Sequence, residues 1–348
     1  MDLYVLDKSF TPIGIIDNAS SVIWANRYYE TGDFEIYIRA ERKYIELLKE
    51  EYYVSRMDSE MVCIIEHINL KTDAENGDYL TISGRCLKSI LERRIIWDQT
   101  NLTGNAETVL RQLINDNVIN PSITARKIPG IKLGEIKGFT EEVELQTTGD
   151  NLLTKVIELC KAAEIGWRAL LQNGEIVIDF FRGENRSYSQ EANPYVVFSP
   201  EFDNLLSTET DIDTTTFKNV ALVAGEGEGA AQIKTIVGNA SGMARREAYI
   251  EATDISSNGG AIIPSKYLML LHERGNEILA AAVKTLSISG TAETTLTYKL
   301  NEDYFLGDTV AVTNEYGMSA NTKVLEIIES EDDTGYNVIP TFEEWRQA

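Results

Sequence analysis

Asn219-Val-Ala-Leu-Val-Ala-Gly-Glu-Gly-Glu-Gly-Ala-Ala-Gln-Ile-Lys-Thr-Ile-Val-Gly238 sets an apolar, strand-like run against glycines in a G-x-G-x-x-A spacing. A dinucleotide loop of this outline needs a helix after the glycines, so that its positive N-terminal end faces the pyrophosphate. Here Gln232-Ile-Lys-Thr-Ile-Val237 is rich in β-branched residues and reads as a strand. Glu226 and Glu228 place carboxylates where an anion would sit, and no Lys-Ser/Thr follows as in a P-loop. The segment therefore reads as strand Val220–Ala224, a glycine turn and strand Ile233–Val237, and points to a β-rich fold instead of a nucleotide-binding one.

With 348 residues the chain exceeds one ordinary core and divides into two or three domains. Its 43% hydrophobic and 25% charged residues are the balance of a folded chain, not a disordered one. No apolar run approaches the length needed to cross a bilayer, and Met1–Lys8 lacks a basic lead into an apolar stretch, so neither a membrane span nor a secretory signal is expected. Cys63, Cys86 and Cys160 are odd in number, far apart and without C-x-x-C spacing, which indicates neither a disulfide framework nor a thiolate zinc site and favours a reducing cytoplasm. The net charge of −23 disfavours tight nucleic-acid binding. It serves either solubility or a surface that nucleic acid passes without sticking.

Ser21–Tyr29, a turn at Glu30–Asp33 and Phe34–Ile38 predict a half-buried hairpin with Phe34, Ile36 and Ile38 inward. A short helix is expected within Arg39–Glu51. Met61–Ile68 and Tyr79–Ser83 read as paired strands around a turn at Lys71–Asp78, where Asn76-Gly77 supplies positive backbone angles. Helical spacing follows in Glu107–Ile119 and Asp150–Glu164, the second capped by Asp150 and ended by Gly166, with a strand-poor link from Ile128 to Thr148 between them. Trp167–Leu171, Gln172-Asn-Gly174 and Glu175–Phe181 predict a hairpin. A third helix starts near Pro264, and strands return from Leu286, including Thr309–Val312 and Lys323–Ile328. The stretches 62–82 and 323–339 share a pattern of strand, acidic turn and strand. Either hairpins simply look alike, or the chain holds two copies of one small β-barrel.

No constellation carries chemistry. His67 and His272 are isolated and lack H-E-x-x-H spacing, and no serine lies in G-x-S-x-G. Asp211-Ile-Asp213 and Glu329–Asp333 lack the glycine and terminal glutamate of a calcium loop and read as solvated turns. Acidic residues are too numerous for a glycosidase pair to be argued by counting. No catalytic, cofactor-binding or metal residue is assigned, and no cofactor is expected.

Trp24-Ala-Asn-Arg-Tyr-Tyr-Glu-Thr-Gly-Asp-Phe-Glu-Ile36, Thr81–Ile95, Asn219–Gly229, Ala244-Arg-Arg-Glu247 and Tyr304-Phe-Leu-Gly-Asp-Thr-Val310 together, and in this order, resemble the Gp37-like tail proteins of long-tailed phages and prophages. Those are similar to the hub proteins that close the distal end of a tail tube. The resemblance implies an α+β, β-rich fold in which two small tube-forming β-barrel domains flank an inserted α/β domain. The expected boundaries are 1–103 for the first barrel, 104–185 for the α/β insert, 186–240 plus 300–348 for the second barrel, and 241–299 for a helix-containing insertion. It implies a non-enzymatic virion protein assembled in the host cytoplasm, a homotrimer whose three chains form a pseudo-sixfold ring that DNA traverses. Its implied partners are the distal tail protein, the tail tube protein and the tape measure protein. Relatives often continue into a hydrolase or receptor-binding module, whereas this sequence ends at Ala348, so lysis and host recognition are not carried over. The alternative reading is an enzyme that cleaves glycan or peptidoglycan with acidic residues.

Overall fold

Phe34, Ile36 and Ile38 are buried and Glu35, Tyr37 and Arg39 exposed along strand Asp33–Arg39, the alternation the sequence dictates for a sheet with one wet face. The computed structural model describes residues 1–75, 77–292, 297–343 and 345–346. Two compact units divide the chain: Met1–Thr208 with Ser289–Glu343, and a second built on Glu209–Ile288.

In the first unit, strands Pro12–Ile16, Leu3–Leu6, Tyr53–Arg56 and Val62–Ile64 form one antiparallel sheet in that order. A longer sheet runs Gly335–Phe342, Ser319–Asp332, Ser21–Arg27, Asp33–Arg39, Tyr79–Arg85, His67–Lys71. Their inner faces enclose a core of Leu3, Val5, Trp24, Phe34, Ile36, Val54, Cys63 and Ile82. The expected single strand Met61–Ile68 is divided: Val62–Ile64 belongs to the first sheet and His67–Lys71 to the second. The crossing is tight, since a β-carbon on Gly84 would lie 1.8 Å from the Ile64 carbonyl oxygen, so only glycine admits it. Gly77 at the following turn has φ +88°, as a hairpin requires, while Asn76 lies outside the described residues.

Strand Ser319–Asp332 changes partners in the same manner. Its first part pairs with Thr309–Thr313; Val324 then meets Phe342, and past a bulge between Val324 and Glu326 the strand pairs with the rest of Gly335–Phe342 and with Ser21–Arg27.

Helix Ala106–Ile114 and helix Leu152–Ala162 pack with strands Gly166–Gln172 and Glu175–Phe181, the latter parallel to Ile131–Leu133. The apolar stripes of both helices, including Val109, Leu113, Val156 and Cys160, join one core with Tyr28, Leu87 and Trp167. Several local expectations are corrected here. The second helix is capped by Asn151, whose side chain accepts from the Thr154 amide at 3.3 Å, while Asp150 accepts from the Thr147 hydroxyl. Glu164, at φ +52°, takes the left-handed position after the helix, and Gly166 begins the next strand. The link 128–148 holds two strands, Ile131–Leu133 and Glu142–Thr147, which its glycines and lysines obscure.

In the second unit Val220–Ala224 pairs antiparallel with Lys234–Val237 and parallel with Glu247–Glu251, and helix Pro264–Ala281 covers this sheet. The core is Ala221, Val223, Val237, Ile250, Tyr267 and Leu271. The sequence boundary at residue 240 falls inside this unit. The fold is thus β-rich α+β as expected, although among the described residues no strand order closes on itself.

Candidate functional site

Tyr28 lies at the meeting of three parts of the first unit. Its amide donates to the Leu325 carbonyl at 2.8 Å, and its ring is fully buried. A β-carbon on Gly166 would lie 2.1 Å from this ring and one on Gly307 2.3 Å, so both glycines exist to let the backbone touch it. The hydroxyl points at the Phe181 and Glu164 carbonyls, at 3.3 and 3.4 Å, and burial pushes the phenol up to about 12.

Lys88 fixes the turn that follows. Its ammonium is buried, donates to the Arg27, Glu30 and Tyr28 carbonyls at 2.7, 3.0 and 3.3 Å, and stands 5.0 Å from the centroid of Trp167. Desolvation pulls its pKa down to about 8. The Trp167 indole in turn donates to the Tyr29 carbonyl at 2.7 Å. Arg27 extends the same turn, donating to the Thr31 carbonyl and pairing with Asp33 and Glu326.

Asp308, also buried, accepts from the Glu184 and Phe305 amides at 2.7 and 3.0 Å and from Arg186 Nε at 2.7 Å. It ties the segment after strand Glu175–Phe181 to the C-terminal strands. Arg56 makes a similar tie, with Nη2 at 3.0 Å from Glu329 and a fork of two bonds to Asp58. Between these clusters opens a cleft of about 320 Å³ whose walls include Met61, Cys86, Lys88, Trp167, Phe181, Phe305 and Leu306. Its cations Arg168, Arg182 and Arg186 are each engaged by Asp179, Glu141 and Asp308. The arrangement offers mechanical ties and a small recess with partly apolar walls.

The residues singled out from the sequence remain apart. His67 lies exposed on a sheet edge and His272 meets Asn276 on its own helix. Among the described residues no group of His, Cys, Asp or Glu is placed to hold a metal. Asp213 and Asp332 accept from Thr215 and Thr334 in their own turns, which holds both carboxyls below the ordinary range. Glu329, read as part of a solvated turn, is instead buried against Arg56 and Tyr336.

The glycine loop is a turn between strands. Close packing accounts for Gly225: a β-carbon there would lie 2.5 Å from the Tyr267 hydroxyl, which accepts from the Glu226 amide and donates to the Ile255 carbonyl. Glu226 accepts from the Ser257 amide and from the Ser256 and Ser257 hydroxyls, whereas Glu228 is exposed. Asn219 clips the neighbouring motif, donating to the Ala244 carbonyl and accepting from the Arg246 amide, both at 2.8 Å.

Sequence reasoning missed Tyr28, Lys88, Gly166 and Gly307. Tyr28, Lys88 and Gly307 lie in the motif-bearing segments 24–36, 81–95 and 304–310, which converge in space on this junction, whereas Gly166 lies outside them.

Fold and junction define a β-rich α+β protein in which long strands are shared between sheets. The chain belongs to the Siphovirus ReqiPepy6 Gp37-like family, whose model matches residues 2–342. Among solved structures it is similar to the 43 kDa tail protein of prophage MuSo2 from Shewanella oneidensis, at 13% identity over 99% of this chain and 98% of that one, TM-score 0.63. The tail protein from Neisseria meningitidis MC58 matches at 14% identity over 99% and 96%, TM-score 0.61. Prophage tail protein gp18 from Listeria monocytogenes EGD-e matches at 12% over 98% and 94%, TM-score 0.54. The fold is therefore that of these phage tail proteins. A search of curated proteins gave no match.

Proposed function

We propose that this chain is a non-enzymatic hub at the distal end of a phage or prophage tail. Three copies form a ring that adapts the sixfold tail tube to the tip and lets DNA pass. One observation carries this reading. The strand order Ser21–Arg27, Asp33–Arg39, Tyr79–Arg85, His67–Lys71 recurs as Leu205–Asp213, Thr285–Ala292, Gly335–Phe342, Ser319–Asp332. In both sets the last strand follows a change of sheet. The weak pattern shared by 62–82 and 323–339 is thereby matched by topology, which supports two related tube-forming domains in one chain.

The joint between the two sets is antiparallel pairing of Ser319–Asp332 with Ser21–Arg27. The outer strands, His67–Lys71 and Leu205–Asp213, end the order. On this reading the same joint forms between chains, head to tail, and three chains give six four-stranded sets around a bore. The domain partition becomes 1–103, the α/β insert 104–185, and a second tube-forming domain from the remainder, into which the Glu209–Ile288 unit is inserted. The corresponding connection in the first set is the short turn held by Lys88.

The partners under this reading are the distal tail protein, the tail tube protein and the tape measure protein, with no cofactor, in a virion assembled in the host cytoplasm. The −23 charge keeps the phosphate backbone off the bore wall. Electron microscopy of the assembled particle, with this chain labelled, tests the proposal. Label at the distal tip around a threefold ring is expected. Label elsewhere, a basic bore, or release of fragments from purified cell wall by the isolated chain overturns it.

A further inference from the structure

We propose that Cys63 and Cys86 are a latent cross-strand disulfide, oxidised by peroxide, that staples the two sheets of the first β region together. They stand 23 positions apart in sequence, yet they are direct antiparallel partners at an isolated bridge between strand Val62–Ile64 and the end of strand Tyr79–Arg85. Both thiols are free and buried in one core.

The hydrogen bonding identifies the type of pair. The Cys86 amide donates to the Gly32 carbonyl at 2.8 Å and so is not exchanged with Cys63. The pair is therefore the non-hydrogen-bonded kind, in which opposed Cα atoms stand about 4.5 Å apart with side chains on one face. That separation lies within the window of about 4.4 to 6.8 Å that a disulfide spans. A bridge here joins Val62–Ile64 of one sheet to the other sheet at the crossing that Gly84 already makes close.

Access and polarity order the two thiols. Cys86 lines the cleft of about 320 Å³, and its sulfur accepts from the Gly32 amide at 3.2 Å. Lys88 acts in the same direction on Cys86, against the burial that pushes both thiols up, and Cys63 is pushed further. Cys86 is thus the peroxide-reactive thiol and Cys63 the resolving one. In the first step the Cys86 sulfur bonds to one peroxide oxygen, the O–O bond breaks, and water leaves with the thiol proton. In the second, the Cys63 sulfur bonds to the Cys86 sulfenic sulfur, the S–O bond breaks, and a second water leaves. The sum is two thiols and one hydrogen peroxide to one disulfide and two waters. Cys160, buried in the other core, takes no part and serves as an internal reference.

The test is intact mass and peptide mapping of the full chain after hydrogen peroxide treatment, followed by alkylation in denaturant. A product two hydrogens lighter is expected, alkylated at Cys160 alone, with a peptide linking Cys63 to Cys86. In Cys63→Ala, dimedone should instead trap a sulfenic acid at Cys86. Three alkylated thiols after treatment, or bridges only between chains, overturn the proposal.

Discussion

Gly307 is stacked so closely on the Tyr28 ring that its missing β-carbon would stand 2.3 Å from the ring edge, and its φ of +94° is one that L side chains resist. Two penalties therefore coincide at this position, steric and conformational. Gly307→Ala should lower unfolding free energy by about 2 to 4 kcal/mol. Tyr28→Leu introduced into the same chain should recover part of this loss by freeing space, which urea unfolding of the single and double variants will measure. Strict additivity of the two would show that the contact does not matter.

The buried tie of Arg56 to Glu329 gives an unequal pair of outcomes. Glu329→Ala leaves a guanidinium in the core with only the largely exposed Asp58 to balance it, and should cost about 3 kcal/mol. Asp58→Ala removes the fork of two bonds but from an acid that is largely in water, and should cost less, about 1 kcal/mol. Thermal unfolding of both variants decides between them.

Lys88 has a pH signature. Burial draws its folded pKa down to about 8 from an ordinary 10.5, so the folded state binds fewer protons than the unfolded state between these values. Its contribution is most favourable above pH 10.5, declines as pH falls to 8, and is constant below. The difference in stability between the native chain and Lys88→Met should change by up to about 3 kcal/mol across that window. Comparing the two cancels the tyrosines that titrate nearby. A difference independent of pH would mean that Lys88 enters the fold at its ordinary pKa.

Much of this architecture is legible in the sequence, and the exceptions share a cause. Alternation in Phe34–Ile38 and the Gln172-Asn-Gly174 turn name their elements because local chemistry and burial agree there. The division of Met61–Ile68 between two sheets is not legible, since each half has strand character and only the passage over Gly84 separates them. The junction is similarly hidden: Gly166 reads as a helix terminator by position, while its purpose is the Tyr28 ring, brought to it from far along the chain.

The glycine loop separates two acids that look alike in sequence. Glu226 is held below the ordinary carboxylate range by the Ser257 hydroxyl and amide. Its anchorage of the 256–257 turn is present above the unfolded carboxylate pKa and is lost as pH falls through the lowered folded value. Glu226→Ala should speed hydrogen exchange at the Ser257 amide and abolish this acid-dependent loosening, and Glu228→Ala should do neither. Clear binding of ATP or NAD by the native chain would contradict the reading of the loop as a structural turn.

Strand His67–Lys71 ends the long sheet, so it is the place where folding and the proposed assembly can be tested separately. Leu70 is 49% exposed although its neighbour in the ladder, Leu80, is buried, so the apolar row of the sheet ends uncovered. Leu70→Lys places a charge on that rim, where a substitution changes folding stability by only about 0.5 kcal/mol. If the edge receives a strand from a second copy, the variant should melt with the native chain yet fail to form the trimer that the proposed ring requires, read by sedimentation, because a lysine there must be desolvated on pairing. A trimer that persists in Leu70→Lys would place the contact between copies on another surface and remove the strand-addition joint from the proposed ring.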